Sequence, residues 1–350
     1  MRILIVKTSA LGDVVHALPV LGALRRHFKT ARIAWVVEQW IAPLLAGHPD
    51  LDEVIPVRLG AWRKRPFARA TLSELGRLRS RVADFAPDVA LDLMGNHKAG
   101  VLAALSFADR RLGLAREFRR EPSSAIWINE GVPLSPDQNG HAVDRMLAVL
   151  GGLGLPQEPA EFQPEKILAG PDAEIPGGTE RPADPPDRFA LLHPGAGWGN
   201  KRYPAGGWGR ALQALAQESG LPSLVAVGPG EEPLAAEIVA ASGGAARSVP
   251  AEIPAFAALA RRAQIVLGGD SGPTHLAHAL GRPVLMVMGP TDPALHGPYG
   301  APHLALAKRL PCSYCHRRFA EVKACLLEIA PREVAARAGE ILRSTGFSSS

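Results

Sequence analysis

Short apolar runs alternate with helix-like stretches along most of the chain. Residues 2–6 make a compact β-rich run, and after the turn Thr8-Ser9-Ala10-Leu11-Gly12-Asp13 the apolar residues Val14, Leu18, Leu21 and Leu24 recur at helical spacing. Further strands are predicted at 33–37, 54–57 and 89–93, separated by helical segments such as 72–85. Strand and helix in alternation argue for a parallel sheet covered by helices on both faces. The rhythm stops at residues 156–187, where eight of 32 positions are proline. It then restarts, with strands at 189–192, 224–227, 265–267 and 284–288 and helices at 205–218, 233–241, 254–262 and 274–280. A last helix, 332–342, follows a loop of about 20 residues that holds all three cysteines.

The pattern therefore predicts an α/β protein of two doubly wound, Rossmann-like domains, with ligands in the cleft they face. Residues 1–170 form the first domain, 171–187 a proline-rich linker and 188–330 the second. The terminal segment 331–350 is expected to pack back on the N-terminal domain. At roughly 150 residues per domain, a length of 350 gives the same count.

Composition narrows the class more than the chemistry. With 47% hydrophobic and 21% charged residues the chain is not intrinsically disordered, and Gly 36 with Pro 32 implies many tight turns. No run reaches the roughly 18 apolar residues of a transmembrane helix, and the opening apolar run is too short for a signal-peptide core. Three cysteines make no disulfide framework, so a reducing cytoplasm is expected.

The net charge of +5 hides a concentration. Residues 58–81 carry Arg58, Arg63, Lys64, Arg65, Arg69, Arg77, Arg79 and Arg81 against Glu74 alone, and 110–120 carry Arg110, Arg111, Arg116, Arg119 and Arg120 against Glu117. Such clusters are either solvated helical faces or a surface for an anionic partner such as phosphorylated lipid, nucleic acid or membrane.

Four loops that follow predicted strands carry candidate chemistry. In Thr8–Asp13, Gly12 permits a tight turn, and Asp13 at the helix entrance is either an N-terminal cap or a general base for an attacking hydroxyl. His16, one turn on, is a packed or capping histidine or a second candidate. Asp270-Ser271-Gly272-Pro273-Thr274-His275 opens a helix, where backbone N–H groups, two hydroxyls and an imidazole suit a phosphate or diphosphate. Capping by Asp270 or Ser271 is its structural alternative, and the segment lacks the Gly-Lys-Ser/Thr ending of a P-loop. His193-Pro194-Gly195-Ala196-Gly197-Trp198-Gly199-Asn200-Lys201-Arg202 exposes backbone at its glycines, and Lys201 with Arg202 would offset a diphosphate leaving group. In Gly228-Pro229-Gly230-Glu231-Glu232 a carboxylate could hold ribose hydroxyls. Cys312-Ser313-Tyr314-Cys315-His316 matches a haem-attachment pattern that belongs with export. With Cys325 it has the ligand types, but no strong spacing, for zinc; a packed, reduced loop is the simpler expectation.

Taken in order, Gly12-Asp13-Val14-Val15-His16-Ala17-Leu18-Pro19, Trp62-Arg63-Lys64, Asp270-Ser271-Gly272-Pro273-Thr274-His275-Leu276 and Gly289-Pro290-Thr291-Asp292-Pro293 resemble the lipopolysaccharide heptosyltransferases of glycosyltransferase family 9, most of all the heptosyltransferase I branch. The resemblance runs from the first strand to about residue 300. It implies the GT-B fold, with acceptor on the first domain and nucleotide sugar on the second. It further implies inverting transfer of L-glycero-D-manno-heptose from ADP-heptose to Kdo of the lipid A inner core, with no cofactor or obligatory metal. The implied partners are the donor, Kdo-lipid A and the anionic inner face of the inner membrane, not nucleic acid.

By the same resemblance Asp13 is the general base and Lys201 supports the donor phosphate. Gly195, Ala196, Glu231, Glu232, Asp270, Ser271, Gly272, Thr274 and His275 bind the donor, and Ser9, Gly12, Arg63, Lys64, Arg116, Arg119 and Arg120 meet the acceptor. Competing expectations are a relative with a heptosyltransferase II-like acceptor or another nucleotide sugar, a nucleotide-sugar epimerase, and a non-catalytic sugar-nucleotide-binding protein. A dinucleotide oxidoreductase is disfavoured because no Gly-x-Gly-x-x-Gly follows the first strand.

Overall fold

Two parallel sheets of six strands each organise the computed structural model, which describes residues 1–168, 185–315 and 324–346. The chain divides into two compact units, Met1–Asp172 and Ala173–Ser350, the division falling inside the proline-rich segment. Most of the linker predicted at 171–187 lies outside the described residues.

In the first unit β1 (Arg2–Val6), β2 (Arg32–Glu38), β3 (Glu53–Val57), β4 (Val89–Asp92), β5 (Arg110–Leu114) and β6 (Glu130–Val132) pair in the order β3-β2-β1-β4-β5-β6. The second unit holds β7 (Ala190–His193), β8 (Ser223–Val227), β9 (Ala246–Pro250), β10 (Ile265–Gly269), β11 (Val284–Met288) and β12 (Ala305–Ala307), in the order β12-β11-β10-β7-β8-β9. The two orders are the same doubly wound topology, with the chain reversing direction across the sheet between β1 and β4 and between β7 and β10. Those central strands are buried along nearly their whole length because helices cover both faces, so they read as continuous apolar runs.

Four strands escape the apolar pattern. Strands β5, β6 and β9 are short and partly polar and β12 is three half-buried residues; they exist because a neighbouring strand offers a parallel ladder. The prolines Pro56 of β3 and Pro250 of β9 both sit on edge strands, where a missing N–H breaks no ladder.

The terminal helix is Pro331–Ser344. Its apolar face, Val334, Ala335, Ala338, Ile341 and Leu342, is buried in one cluster with Trp208, Leu212 and Leu215 of helix Ala205–Ser219. Thus it belongs to the core of the second unit, where packing back on the first was expected. Among the described residues no helix is long and apolar enough to cross a membrane.

Candidate active site

In the second unit the predicted loops converge on the point where the chain direction reverses. The loop after β7 brings Lys201, and the loop after β10 brings Asp270. Lys201 Nζ donates to Asp270 Oδ2 at 2.6 Å and lies 4.5 Å from the centre of the Trp198 ring. Asp270 also accepts from Thr291 Oγ1 at 2.6 Å and bonds His275 Nε2 at 3.1 Å. Only 9% of its side chain is exposed. Burial alone would raise its pKa, but the hydrogen bonds and charges of His275 and Lys201 outweigh it and hold the carboxyl well below the usual range. Asp270 is therefore an ionised hub that aims a cation, a hydroxyl and an imidazole.

Beside it, helix Gly272–Ala279 begins at Ser271, whose side chain does not cap it. The Ser271 hydroxyl lies 3.0 Å from Thr274 Oγ1 and 3.3 Å from His193 Nδ1. The capping alternative is thus not adopted by the Ser271 hydroxyl, and the positive end of the helix dipole keeps its anion-binding character.

At the end of β7, His193 is buried. Burial pushes its imidazole pKa down against the opposing charge of Glu231, whose Oε2 lies 3.7 Å from His193 Nε2 and accepts from Gly228 N at 3.1 Å. Gly195 passes so close to Glu231 that a Cβ there would push the carboxylate out of its present position. Ala196 turns its carbonyl to Arg202, which donates from Nε at 3.1 Å and Nη2 at 3.0 Å. Arg202 pins the loop and leaves Lys201 to face the reaction. Glu232 is exposed in the first turn of helix Glu232–Ala241, with Oε1 3.4 Å from Gly230 N.

The equivalent place in the first unit is built around Asp13. Its Oδ2 accepts from Ala10 N at 3.0 Å: the N-cap residue is Ala10, and Asp13, in the first turn of helix Leu11–Val15, bonds back to it rather than standing at the cap as expected. Oδ1 lies 3.8 Å from Lys7 Nζ, and 43% of the side chain remains exposed. Cap and base are compatible, since the bond to Ala10 N orients the carboxylate and the side chain stays 43% exposed. Ser9 and Gly12, half-buried, lie in the same loop. His16 is buried edge-to-face against His141 at 5.2 Å between ring centres, the packed alternative.

Two residues here were not singled out from sequence. Lys7 is buried at the end of β1, donates to Leu93 O at 3.2 Å and supplies the cation facing Asp13. Glu38, at the end of β2, has its pKa raised by burial, opposed by the N–H groups of Gly60 and Leu59 and by Lys98. A charged residue closing an apolar strand was the available signal for both. In the second unit Thr291 was missed as a participant although its segment carried the resemblance.

The basic clusters separate into spent and unspent charge. Arg119 is a correction: its side chain is fully buried, pairs with Asp92, donates from Nε to Ser124 Oγ at 2.8 Å and lies 3.3 Å from Leu114 O. A guanidinium so enclosed cannot meet an acceptor. Gly113 makes room for it, since a Cβ there would lie 2.7 Å from Arg119 Nη1. Arg110 is held by Glu130 through two bonds of 2.7 Å, and Arg111 is tied to the carbonyls of Trp127 and Ala108. Arg116 and Arg120 stay exposed, as do Arg63 and Lys64 at the end of helix Leu59–Lys64.

Cys312 and Cys315 are exposed and Cys325 is buried. His316 lies outside the described residues, and among those described no group of three or more His, Cys, Asp or Glu side chains is placed to hold a metal ion.

Two doubly wound units, one with a half-exposed carboxylate near its switch point and the other with a lysine beside an uncapped helix start, make an α/β fold of the GT-B type. A family model for glycosyltransferase family 9 (heptosyltransferase) matches residues 75–325, and the chain belongs to that family. It is 29% identical over 321 residues to lipopolysaccharide heptosyltransferase 1 of Pseudomonas aeruginosa, covering 91% of this chain and 87% of the relative. The solved E. coli heptosyltransferase WaaC with ADP superposes at a TM-score of 0.79 with 27% identity, over 97% of this chain and all of the other. The same enzyme with ADP-2-deoxy-2-fluoro heptose gives 0.77 with 26% identity, over 97% of this chain and 99% of the other. The protein is a glycosyltransferase, so the epimerase, oxidoreductase and non-catalytic expectations fall away.

Proposed function

We propose that the protein transfers L-glycero-D-manno-heptose, with inversion, from ADP-heptose to Kdo of the lipid A inner core in lipopolysaccharide biosynthesis. One observation carries this reading beyond the family: Lys201, aimed by Asp270 beside the uncapped start of helix Gly272–Ala279, is a charge arrangement suited to a diphosphate. The relatives solved with ADP and with a fluorinated ADP-heptose support adenine nucleotide and heptose as its cargo.

The reaction is a single displacement. Asp13 takes the proton of the acceptor hydroxyl as its oxygen bonds to the anomeric carbon. The bond from that carbon to the diphosphate oxygen breaks, and ADP departs with the electron pair. Lys201 and the N–H groups at the start of helix Gly272–Ala279 neutralise the charge that develops on the diphosphate. Glu231, oriented by Gly228 N, is the group for the ribose hydroxyls. Arg63, Lys64, Arg116 and Arg120 meet the anionic acceptor, and work on a lipid-linked substrate places the protein at the cytoplasmic face of the inner membrane as a peripheral protein. No metal enters these steps.

The test crosses ADP-heptose, GDP-sugars and UDP-sugars with Kdo-lipid A and with already heptosylated acceptors, in EDTA. Release of ADP only from ADP-heptose and Kdo-lipid A is expected. Preference for the heptosylated acceptor would move the assignment to a heptosyltransferase II-like reaction, and turnover of a different nucleotide sugar would overturn the donor.

A further inference from the structure

Helix Arg69–Phe85 buries Thr71, Leu78, Val82 and Phe85 against the first unit. On its flank Leu72 and Leu75 are 56% and 36% exposed, and Phe67, in the turn just before the helix, is 89% exposed. Leu72, Leu75 and Arg79 fall at i, i+3 and i+7, hence along one stripe. The turn that presents Phe67 is ordered, with Thr71 Oγ1 donating to Arg65 O at 2.8 Å and Ala68 N to the same carbonyl at 3.2 Å. Burial of the core accordingly leaves three large apolar side chains in water beside one another in the chain.

The charge around them is equally one-sided. Arg63, Lys64, Arg65, Arg69 and Arg79 are exposed and make no ion pair among the described residues. The one acid of the region, Glu74, is already engaged by Trp62 Nε1 at 2.5 Å and Arg58 Nη1 at 3.0 Å. The exposed pair Leu105 and Phe107 makes an instructive contrast, because the nearby Arg110 and Arg111 are committed to Glu130 and to backbone carbonyls. At 63–79 three exposed apolar groups and five unspent cations coincide within one short stretch of chain. The headgroup layer of an anionic bilayer accepts apolar side chains and unpaired cations together, which is the combination this stretch presents.

We propose that Phe67, Leu72 and Leu75 form an apolar wedge that enters the headgroup layer of an anionic bilayer, drawn there by Arg63, Lys64, Arg65, Arg69 and Arg79. The proposal rests on the lipid-linked acceptor argued above and adds to it a defined inserted element: the cations steer and the wedge retains.

Sedimentation with phosphatidylglycerol/phosphatidylcholine vesicles, at low and high salt, tests it with the wild type and with Phe67→Ser/Leu72→Ser. Both changes lie on the surface and outside the substrate-binding groups. Wild type is expected to bind anionic vesicles at low salt and to lose most binding at high salt. The variant is expected to bind about tenfold more weakly at low salt, with unchanged ADP affinity and unchanged turnover of a water-soluble, deacylated Kdo acceptor. Equal binding of variant and wild type would show attraction by charge alone and overturn the wedge. So would failure of the wild type to bind anionic vesicles. Vesicle binding is read without donor or acceptor, so a wrong acceptor assignment would appear in the turnover arm alone.

Discussion

The same scaffold occurs twice in this chain, and each copy sets a carboxylate at its switch point, Asp13 after the first strand of one unit and Asp270 after the fourth of the other, and uses it in the opposite way. After β1, the Asp13 side chain is 43% exposed, with Oδ2 accepting from Ala10 N and Oδ1 3.8 Å from Lys7 Nζ. After β7 and β10, Asp270 is 9% exposed and saturated by Lys201, Thr291 and His275. An accessible carboxylate can accept a proton from substrate; an enclosed, multiply bonded one cannot and serves to hold cations. Sheet topology therefore says where chemistry happens, while burial and hydrogen-bond count say which chemistry.

Substitution at the two aspartates should separate these roles most sharply. Asp13→Asn keeps the cap acceptor but removes the base, so turnover should fall on the order of 10²–10⁴-fold, with ADP affinity, read by calorimetry, unchanged. Weakened ADP binding would make Asp13 part of the donor site instead. Asp270→Asn should do the reverse, loosening Lys201 and weakening ADP binding together with turnover. In a double cycle with Lys201→Met the second change should add little, because both remove one unit.

Arg119 probes the other half of the contrast, structural against functional charge. Arg119→Met strands Asp92 in the core and should cost about 3–5 kcal/mol of stability, seen as a lowered denaturation midpoint. Arg120→Met should leave stability within about 0.5 kcal/mol and raise only the acceptor KM. Equal stability losses for the two would remove the distinction between spent and unspent arginines.

The smallest effect concerns pH. Each unit buries a histidine whose pKa is lowered by burial, His48 in the first and His193 in the second. For His48 the pKa falls from 6.5 to about 4, with Asp50 opposing, and Nδ1 accepts from Asp50 N at 3.2 Å as a neutral ring does. Below pH 6.5 the unfolded chain takes up a proton that the folded protein refuses until about pH 4, so stability is full above 6.5 and falls as pH drops across that window. The loss is at most about 3 kcal/mol. His48→Gln should flatten denaturation midpoints measured across the window; an unchanged slope would assign it elsewhere.

Legibility in the sequence followed the same division. The central strands were readable because both their faces are covered, giving unbroken apolar runs at 3–6, 89–91 and 284–288. The strands β5, β6, β9 and β12, away from the sheet centres, were not, since their residues gain strand character only from a neighbour's ladder. Loops after strands were legible as site loops by their glycines, hydroxyls and acids. The basic run 110–120 misled because sequence shows charge but not partners: Arg119 is buried with Asp92, and Arg110 is bound to Glu130.

The residue order alone determined two doubly wound units, the switch-point loops, and the aspartates, lysine and hydroxyls they carry, because these depend on local periodicity and chain connectivity. Tertiary structure decided that Asp13 is open and Asp270 enclosed, that Lys7 faces one and Lys201 the other, that the terminal helix packs in the second core, and which arginines remain free. Each of those outcomes depends on solvent exposure and on partners distant along the chain: residues 201 and 270 meet at 2.6 Å only once β7 and β10 lie side by side.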